Sequence, residues 1–114
     1  MHVYEGIIRK GKGYGKILGF PTANIELPQE VEGGIYAAEA TIDGHRYIAA
    51  VFIDPAERLL EANLLDFSGE IYGKTLRVEL MKKIRESKKF EDENALKRSI
   101  ASDIEDVRSF FRGL

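Results

Sequence analysis

The sequence contains no cysteine and only two histidines, which removes several ways of building a functional site. Without thiols the chain forms neither a disulfide nor a thiolate zinc site, so its stability has to come from packing. His2 and His45 are far apart, and neither has a second ligand at metal-binding spacing. Cysteine–histidine catalysis is excluded, and no serine lies in a nucleophile-elbow sequence.

Long hydrophobic runs are also missing. No apolar stretch approaches the roughly 20 residues that span a bilayer. The start, Met1-His2-Val3-Tyr4-Glu5, lacks the basic flank and apolar core of a secretion signal. We therefore expect a cytoplasmic protein that does not bind membranes.

Composition and net charge further limit the class of protein and the partners it can bind. Hydrophobic residues make up 44% of the 114 residues and charged residues 32%, which is typical of one globular domain. The net charge of −2 gives no general attraction for nucleic acid. Positive charge is concentrated in residues 9–16, Arg-Lys-Gly-Lys-Gly-Tyr-Gly-Lys, which makes this segment the first candidate for binding phosphate.

Hydrophobic periodicity predicts a mainly β chain that ends in a helix. Strands are expected over residues 3–9, 34–42, 45–53, 58–67 and 75–84. Asp43-Gly44 predicts a two-residue hairpin turn between the second and third of these strands. This order favours an antiparallel barrel or sandwich with the helix laid across an opening or a face.

The helix is predicted at about residues 92–112. Its apolar stripe recurs every three or four positions and consists of Leu96, Ile100, Ile104, Val107 and Phe111. Asp92 is the expected N-cap, and Gly113 is placed to close the C-terminal end.

The glycines at 11, 13, 15 and 19 allow backbone N–H groups to approach phosphate oxygens closely, and neighbouring lysines add positive charge. This is not a P-loop, because Gly13 stands where a Ser or Thr would bind magnesium. A solvated hairpin loop is the alternative, and glycine and charge alone leave both interpretations open.

Thr22 and Asn24 follow this segment two residues apart, so an extended backbone would place both side chains on one side. Their oxygens suit Mg²⁺, which prefers hard ligands together with nucleotide phosphates. The alternative is that they only close a turn.

Glu61 is the carboxylate with the most unusual predicted setting. Strand alternation places it on one face with Leu59, Asn63, Leu65 and Phe67. An apolar face would raise the pKa of its carboxyl group unless something compensates the charge, as occurs for general bases and metal-associated groups. A glutamate at a barrel rim, paired with a lysine, is the alternative.

Together these segments resemble the riboflavin kinase family, specifically the kinase domain of bacterial bifunctional riboflavin kinase/FAD synthetases. The similarity follows the family's order over nearly the whole chain. Its segments are Gly6-Ile7-Ile8, residues 11–16, Leu18-Gly19-Phe20-Pro21-Thr22-Ala23-Asn24-Ile25, Gly34-Ile35-Tyr36-Ala37, Glu61, Leu64-Leu65-Asp66-Phe67, Ile71-Tyr72-Gly73-Lys74, Ile84-Arg85-Glu86 and Lys88-Lys89-Phe90.

The resemblance implies one domain, residues 1–114, folded as a six-stranded antiparallel Greek-key β-barrel with a C-terminal α-helix. It implies transfer of the γ-phosphate of ATP to the 5′-hydroxyl of riboflavin, giving FMN and ADP with Mg²⁺ as cofactor. The partners would be riboflavin and ATP, and we expect a monomer that binds no nucleic acid. No adenylyltransferase segment is recognised, so FAD synthesis is not expected.

The resemblance also assigns the site residues. Glu61 would be the catalytic base, Asn63 and Arg85 would bind the substrate, and Thr22 and Asn24 would hold the metal. Nucleotide binding would involve Gly11, Gly13, Gly15, Lys16, Gly19, Pro21, Thr22 and Asn24.

Two alternatives belong to other classes of function. The first is a non-catalytic flavin- or nucleotide-binding module, which is favoured by a turn at Asp54-Pro55 that departs from the family's pattern. The second is a small nucleic-acid-binding β-barrel, but only Tyr14 among the aromatic residues lies between basic residues as such a surface requires.

Overall fold

The structure is a computed structural model, which describes residues 2–10 and 22–114. Within these ranges six antiparallel strands form one sheet in the order β1-β6-β3-β4-β5-β2, and one helix follows them. The elements are β1 (His2–Ile7), β2 (Thr22–Glu26), β3 (Gly34–Ile42), β4 (His45–Asp54), β5 (Leu59–Leu64), β6 (Thr75–Arg85) and α1 (Glu93–Arg112). The predicted mainly β architecture with a C-terminal helix is confirmed.

The sheet curls until its two ends meet. β1 and β2 lie at opposite ends of the strand order, yet the Arg9 backbone N–H donates to the Asn24 carbonyl at 2.7 Å. Apolar side chains fill the enclosed space, among them Ile25, Val51 and Leu60, all fully buried. Each strand therefore has an inner face in the core and an outer face that is available for other contacts.

The β3–β4 hairpin forms as the sequence predicts. Asp43 and Gly44 have φ angles of 52° and 78°, the positive values that a two-residue turn of this kind requires. β3 has the predicted bounds, whereas β4 and β6 each extend one residue beyond the prediction, to Asp54 and Arg85.

Two predicted strands are longer than the observed ones. β5 begins at Leu59 and ends at Leu64, because Arg58 and Asp66 have positive φ angles of 51° and 59° that an extended strand does not adopt. β1 pairs with β6 and ends at Ile7, whereas Arg9 forms an isolated bridge to Asn24 of β2.

Helix α1 begins and ends as predicted. Asp92 is its N-cap, and the Asp92 carboxylate accepts the Ala95 N–H at 2.7 Å, while Gly113 is the C-cap. The helix lies on a face of the sheet, where Ile104 and Val107 are buried. In the part of the chain that the structure describes, no helix has the length and hydrophobicity needed to cross a membrane.

Candidate active site

Four polar side chains meet where β2 pairs with β5. Thr22 lies opposite Asn63, and Asn24 lies opposite Glu61. Directly opposed residues of an antiparallel pair project to the same face. The alanines between them on both strands belong to the barrel core, so these four side chains form a patch on the outer face. We call Thr22, Asn24, Glu61 and Asn63 the polar patch.

The polar patch is removed from solvent although its residues are hydrophilic. The exposed fractions of Thr22, Asn24 and Glu61 are 2%, 1% and 5%, and Asn63 is half-buried. Among the described residues, Thr22 Oγ1, both Asn24 side-chain polar atoms and Asn63 Oδ1 have no hydrogen-bond partner. A buried polar atom of this kind costs about 1–3 kcal/mol. Their concentration at one place indicates a site that a ligand completes.

A cavity of about 420 Å³ adjoins the polar patch, between the outer face of the sheet, the connection after β6 and helix α1. Glu61 and Asn63 contribute its polar wall, and both are flanked on β4, by Phe52 and Ala50 respectively. The described lining residues are Ile35, Ala50, Val51, Phe52, Glu61, Asn63, Arg85, Ser87, Lys88, Lys89, Phe90, Leu96, Ile100 and Asp103. Its volume and its mixture of apolar walls with a few polar groups are typical of small-molecule sites.

Arg85 lies at the end of β6 and also lines this cavity. The Arg85 Nε and Nη2 groups donate to the two carboxylate oxygens of Asp103 at 2.7 and 2.8 Å. Nη2 also donates to Ser99 Oγ at 2.9 Å, and Nη1 donates to the Glu86 carbonyl at 2.9 Å. The guanidinium group is therefore fixed between the sheet and helix α1.

The cavity lining includes positively charged side chains. Lys88 and Lys89 belong to the lining, and Lys88 Nζ lies 5.6 Å from the centre of the Phe90 ring. The Arg85 guanidinium lies 5.9 Å from the same ring centre. These cations offset Glu61 and Asp103, so the cavity can accept a ligand with an anionic group.

The structure thus brings Thr22, Asn24, Glu61 and Asn63 together, and places Arg85 on the same cavity as Glu61 and Asn63. The unusual turn at Asp54-Pro55 contributes nothing to the described part of the lining. The other predicted nucleotide-binding residues lie outside the described residues; they are Gly11, Gly13, Gly15, Lys16, Gly19 and Pro21.

Asp103 is a site residue that the sequence patterns did not single out. It is 5% exposed, on the buried side of helix α1. A signal was present, because Leu96, Ile100, Asp103 and Val107 follow the four-three-four spacing of a helix stripe, and an acid in such a stripe needs a partner.

Comparison with known proteins identifies the family. A family model described as flavokinase, riboflavin kinase, matches residues 1–111. The chain belongs to the riboflavin kinase family. A curated member of similar sequence is a bifunctional riboflavin kinase/FMN adenylyltransferase of Haemophilus influenzae, which is 36% identical over 93% of this chain and 37% of its own length.

Solved structures agree on the fold of this riboflavin kinase family member. A crystal structure of riboflavin kinase from Trypanosoma brucei superposes with a TM-score of 0.74 at 23% identity, over 96% of this chain and 76% of that one. A crystal structure described as a macrolide-efflux protein from Streptococcus pneumoniae has a TM-score of 0.78 at 27% identity, over 93% of this chain and 36% of that one.

The curated relatives are longer than the region they share with this chain. The chain spans 18% of a trifunctional protein RibF/MnmA of Mycoplasmoides gallisepticum. It spans 39% of a bifunctional riboflavin kinase/FMN adenylyltransferase and 52% of an RNA-binding riboflavin kinase, both of Bacillus subtilis. Their names include further activities, which belong to those proteins.

Proposed function

We propose that the chain transfers the γ-phosphate of ATP to the 5′-hydroxyl of riboflavin, giving FMN and ADP. Membership of the riboflavin kinase family supports the proposal. The structural observation that carries it is the β2–β5 register, in which the carboxylate of Glu61 stands opposite Asn24 and beside Thr22 and Asn63. A candidate base and candidate cation ligands thus share one buried patch at a cavity wall.

The cavity suits riboflavin because its walls differ in polarity. Ile35, Phe52, Leu96 and Ile100 give it apolar surface from both the sheet and the helix, as a flat isoalloxazine ring requires. Asn63 lies on the polar wall, beside Glu61. The ring would lie between sheet and helix, and the ribityl chain would extend toward the polar patch.

Glu61 has the role of general base in this proposal. Its carboxylate accepts the proton of the ribityl 5′-hydroxyl while that oxygen forms a bond to the γ-phosphorus. The bond from the γ-phosphorus to the bridging oxygen breaks, and ADP leaves with the electron pair. Phosphoryl transfer depends mainly on alignment and charge neutralisation, so one positioned carboxylate is adequate protein chemistry for this step.

Mg²⁺ is the cofactor that the polar patch fits. Thr22 Oγ1 and Asn24 Oδ1 are hard oxygen ligands, and both lack a hydrogen-bond partner among the described residues. These two residues would hold the ion. When bound, it would neutralise charge on the ATP phosphates.

The ATP phosphates are assigned to the glycine-rich segment before β2. The predicted residues are Gly11, Gly13, Gly15, Lys16, Gly19 and Pro21, together with Thr22 and Asn24. Family membership supports this assignment, and Thr22 and Asn24 connect it to the described polar patch. The assignment of Arg85 to substrate binding stays a prediction, as do the monomeric state, the cytoplasmic location and the absence of nucleic-acid binding.

The direct test is to incubate the purified chain with riboflavin, ATP and Mg²⁺ and to quantify FMN and ADP by chromatography. We expect equal amounts of the two products, and loss of both when EDTA removes the metal. Replacing ATP with CTP measures nucleotide preference. Binding of riboflavin and ATP without any FMN would instead favour a non-catalytic module, and a salt-dependent gel shift with single strands would favour the nucleic-acid alternative.

A further inference from the structure

One wall of the cavity is formed by helix α1, and the opposite wall is formed by the sheet. Leu96 and Ile100 line the cavity from the N-terminal half of α1. The C-terminal half is held by apolar packing, in which Ile104 and Val107 are buried against the outer face of the sheet. From the N-terminal half, Ile100 is partly buried against the same cluster. The distance between the sheet and this half therefore depends on that contact and on the polar contacts of the helix.

Asp103 supplies one of these polar contacts, an ion pair with Arg85. It lies where the two halves of the helix meet, and it is 5% exposed. A buried carboxylate is costly unless it is paired and hydrogen-bonded. Arg85 compensates it with two parallel hydrogen bonds of 2.7 and 2.8 Å, the geometry in which an arginine–carboxylate pair is most directional.

The same guanidinium reaches one turn further toward the helix N-terminus. Ser99 precedes Asp103 by four residues, so the two side chains lie on one face of the helix. Ser99 Oγ accepts from Arg85 Nη2 at 2.9 Å. Arg85 is in turn the last residue of β6, so a single side chain links the end of a strand to two successive turns of the helix.

We propose that Asp103, acting through Arg85, is a positioning residue for the flavin-binding cavity. The Arg85–Asp103 pair fixes the spacing between helix α1 and the sheet. This spacing sets the width of the cavity in which the isoalloxazine ring lies. The inference rests on the proposed function, since it concerns the same cavity. It assigns Arg85 to the cavity wall, whereas the family resemblance implies that Arg85 contacts the substrate directly.

The chain contains a matched control. Arg108 Nη1 and Nη2 donate to the two carboxylate oxygens of Asp66 at 3.0 and 3.2 Å. This second pair also joins α1 to the barrel through an arginine and both oxygens of an aspartate. Neither residue belongs to the described lining of the cavity. Asp66→Asn and Asp103→Asn therefore each remove one negative charge from an arginine–aspartate pair between α1 and the barrel. The Asp66 carboxylate is exposed and away from the cavity, whereas the Asp103 carboxylate is buried beside it.

The test measures the dissociation constant of riboflavin by flavin fluorescence and the KM of ATP for both variants, with folding checked by circular dichroism. We expect Asp103→Asn to weaken riboflavin binding by about tenfold or more, with the KM of ATP within about twofold of the parent value. Asp66→Asn should leave both values within about twofold. Equal riboflavin affinity in the two variants would overturn the proposal.

A second experiment separates spacing from direct contact and covers a failure of Asp103→Asn to fold. Arg85→Met combined with Asp103→Leu replaces the ion pair by apolar side chains, an exchange that buried pairs often tolerate. Recovery of riboflavin affinity to within about threefold of the parent would support a role in spacing. A folded double variant that still binds riboflavin at least about tenfold more weakly than the parent would indicate direct contact by Arg85 and overturn the proposal. If the parent chain itself forms no FMN, the proposed function fails instead.

Discussion

Asn24 lies directly opposite Glu61 across the β2–β5 ladder, and both side chains are almost completely buried. The two residues are far apart in the chain, and antiparallel pairing brings them to one face of the sheet. A carboxylate thus stands beside an amide whose oxygen has no hydrogen-bond partner among the described residues. This neighbourhood is what a base and a cation ligand require in phosphoryl transfer.

Glu61→Gln should lower kcat for FMN formation by about 10²–10⁴-fold, because the amide keeps the shape of the side chain but cannot accept the proton. Riboflavin and ATP binding should change little. Steady-state kinetics with chromatographic detection of FMN measures the effect. Glu57→Gln is the control, since Glu57 is an exposed glutamate in the turn before β5. Comparable activity in the two variants would remove Glu61 from the mechanism.

Thr22→Val should stabilise the ligand-free protein and raise the KM for Mg²⁺–ATP. Valine fills the same volume without a hydroxyl group, and the Thr22 hydroxyl has no hydrogen-bond partner among residues 2–10 and 22–114. The free energy of unfolding should therefore rise by about 1 kcal/mol. The KM for Mg²⁺–ATP should rise by about tenfold. Thermal unfolding without ligand and kinetics at varied Mg²⁺ provide the two measurements. Thr41→Val, on β3, is the control for a threonine away from the polar patch, and a less stable Thr22→Val variant would contradict this account.

The stabilising effect of the Asp66–Arg108 pair should depend on pH. The hydrogen bond and positive charge of Arg108 lower the pKa of the Asp66 carboxyl group below its ordinary value of 3.8. A lowered pKa in the folded state gives stabilisation that is present above pH 3.8 and is lost as the pH falls through the lower value. The Tm difference between the parent and Asp66→Asn should therefore be visible at neutral pH and vanish in strong acid. A difference that does not vary with pH would argue against the ion pair as its source.

Gly34→Ala should destabilise the protein more than Gly44→Ala. Gly44 has φ +78°, and a Cβ atom added there would meet open space, so alanine costs only backbone strain of about 1 kcal/mol. At Gly34, with φ +146°, a Cβ atom would lie 2.6 Å from Lys83 Cε and 2.9 Å from the Arg85 carbonyl oxygen. We expect Gly34→Ala to lower the free energy of unfolding, measured with urea, by at least about 2 kcal/mol. An equal decrease in the free energy of unfolding for the two variants would mean that the atoms around Gly34 move aside without a measurable cost.

Much of the local structure could be predicted from the sequence because its signals are short-range. Alternation marked the long strands, Asp43-Gly44 marked the hairpin, and the spacing of apolar residues with Asp92 at the start marked the helix. The hydrophobic pattern missed the short strand β2. The other errors lie at strand ends, where Arg58 and Asp66 adopt positive φ angles. Sheet pairing and packing, not local preference, decide such positions.

The sequence by itself determined which chemical groups this protein has: a carboxylate in an alternating strand, a hydroxyl and an amide two residues apart, and no thiol. Only the tertiary structure decided that β2 pairs with β5 in the register that places Asn24 opposite Glu61, and that Asp103 meets Arg85 at the cavity wall. Register is a property of the whole sheet, because a shift of one residue would turn every side chain of a strand to the other face. That choice is made by packing between distant segments, and no short stretch of sequence contains it.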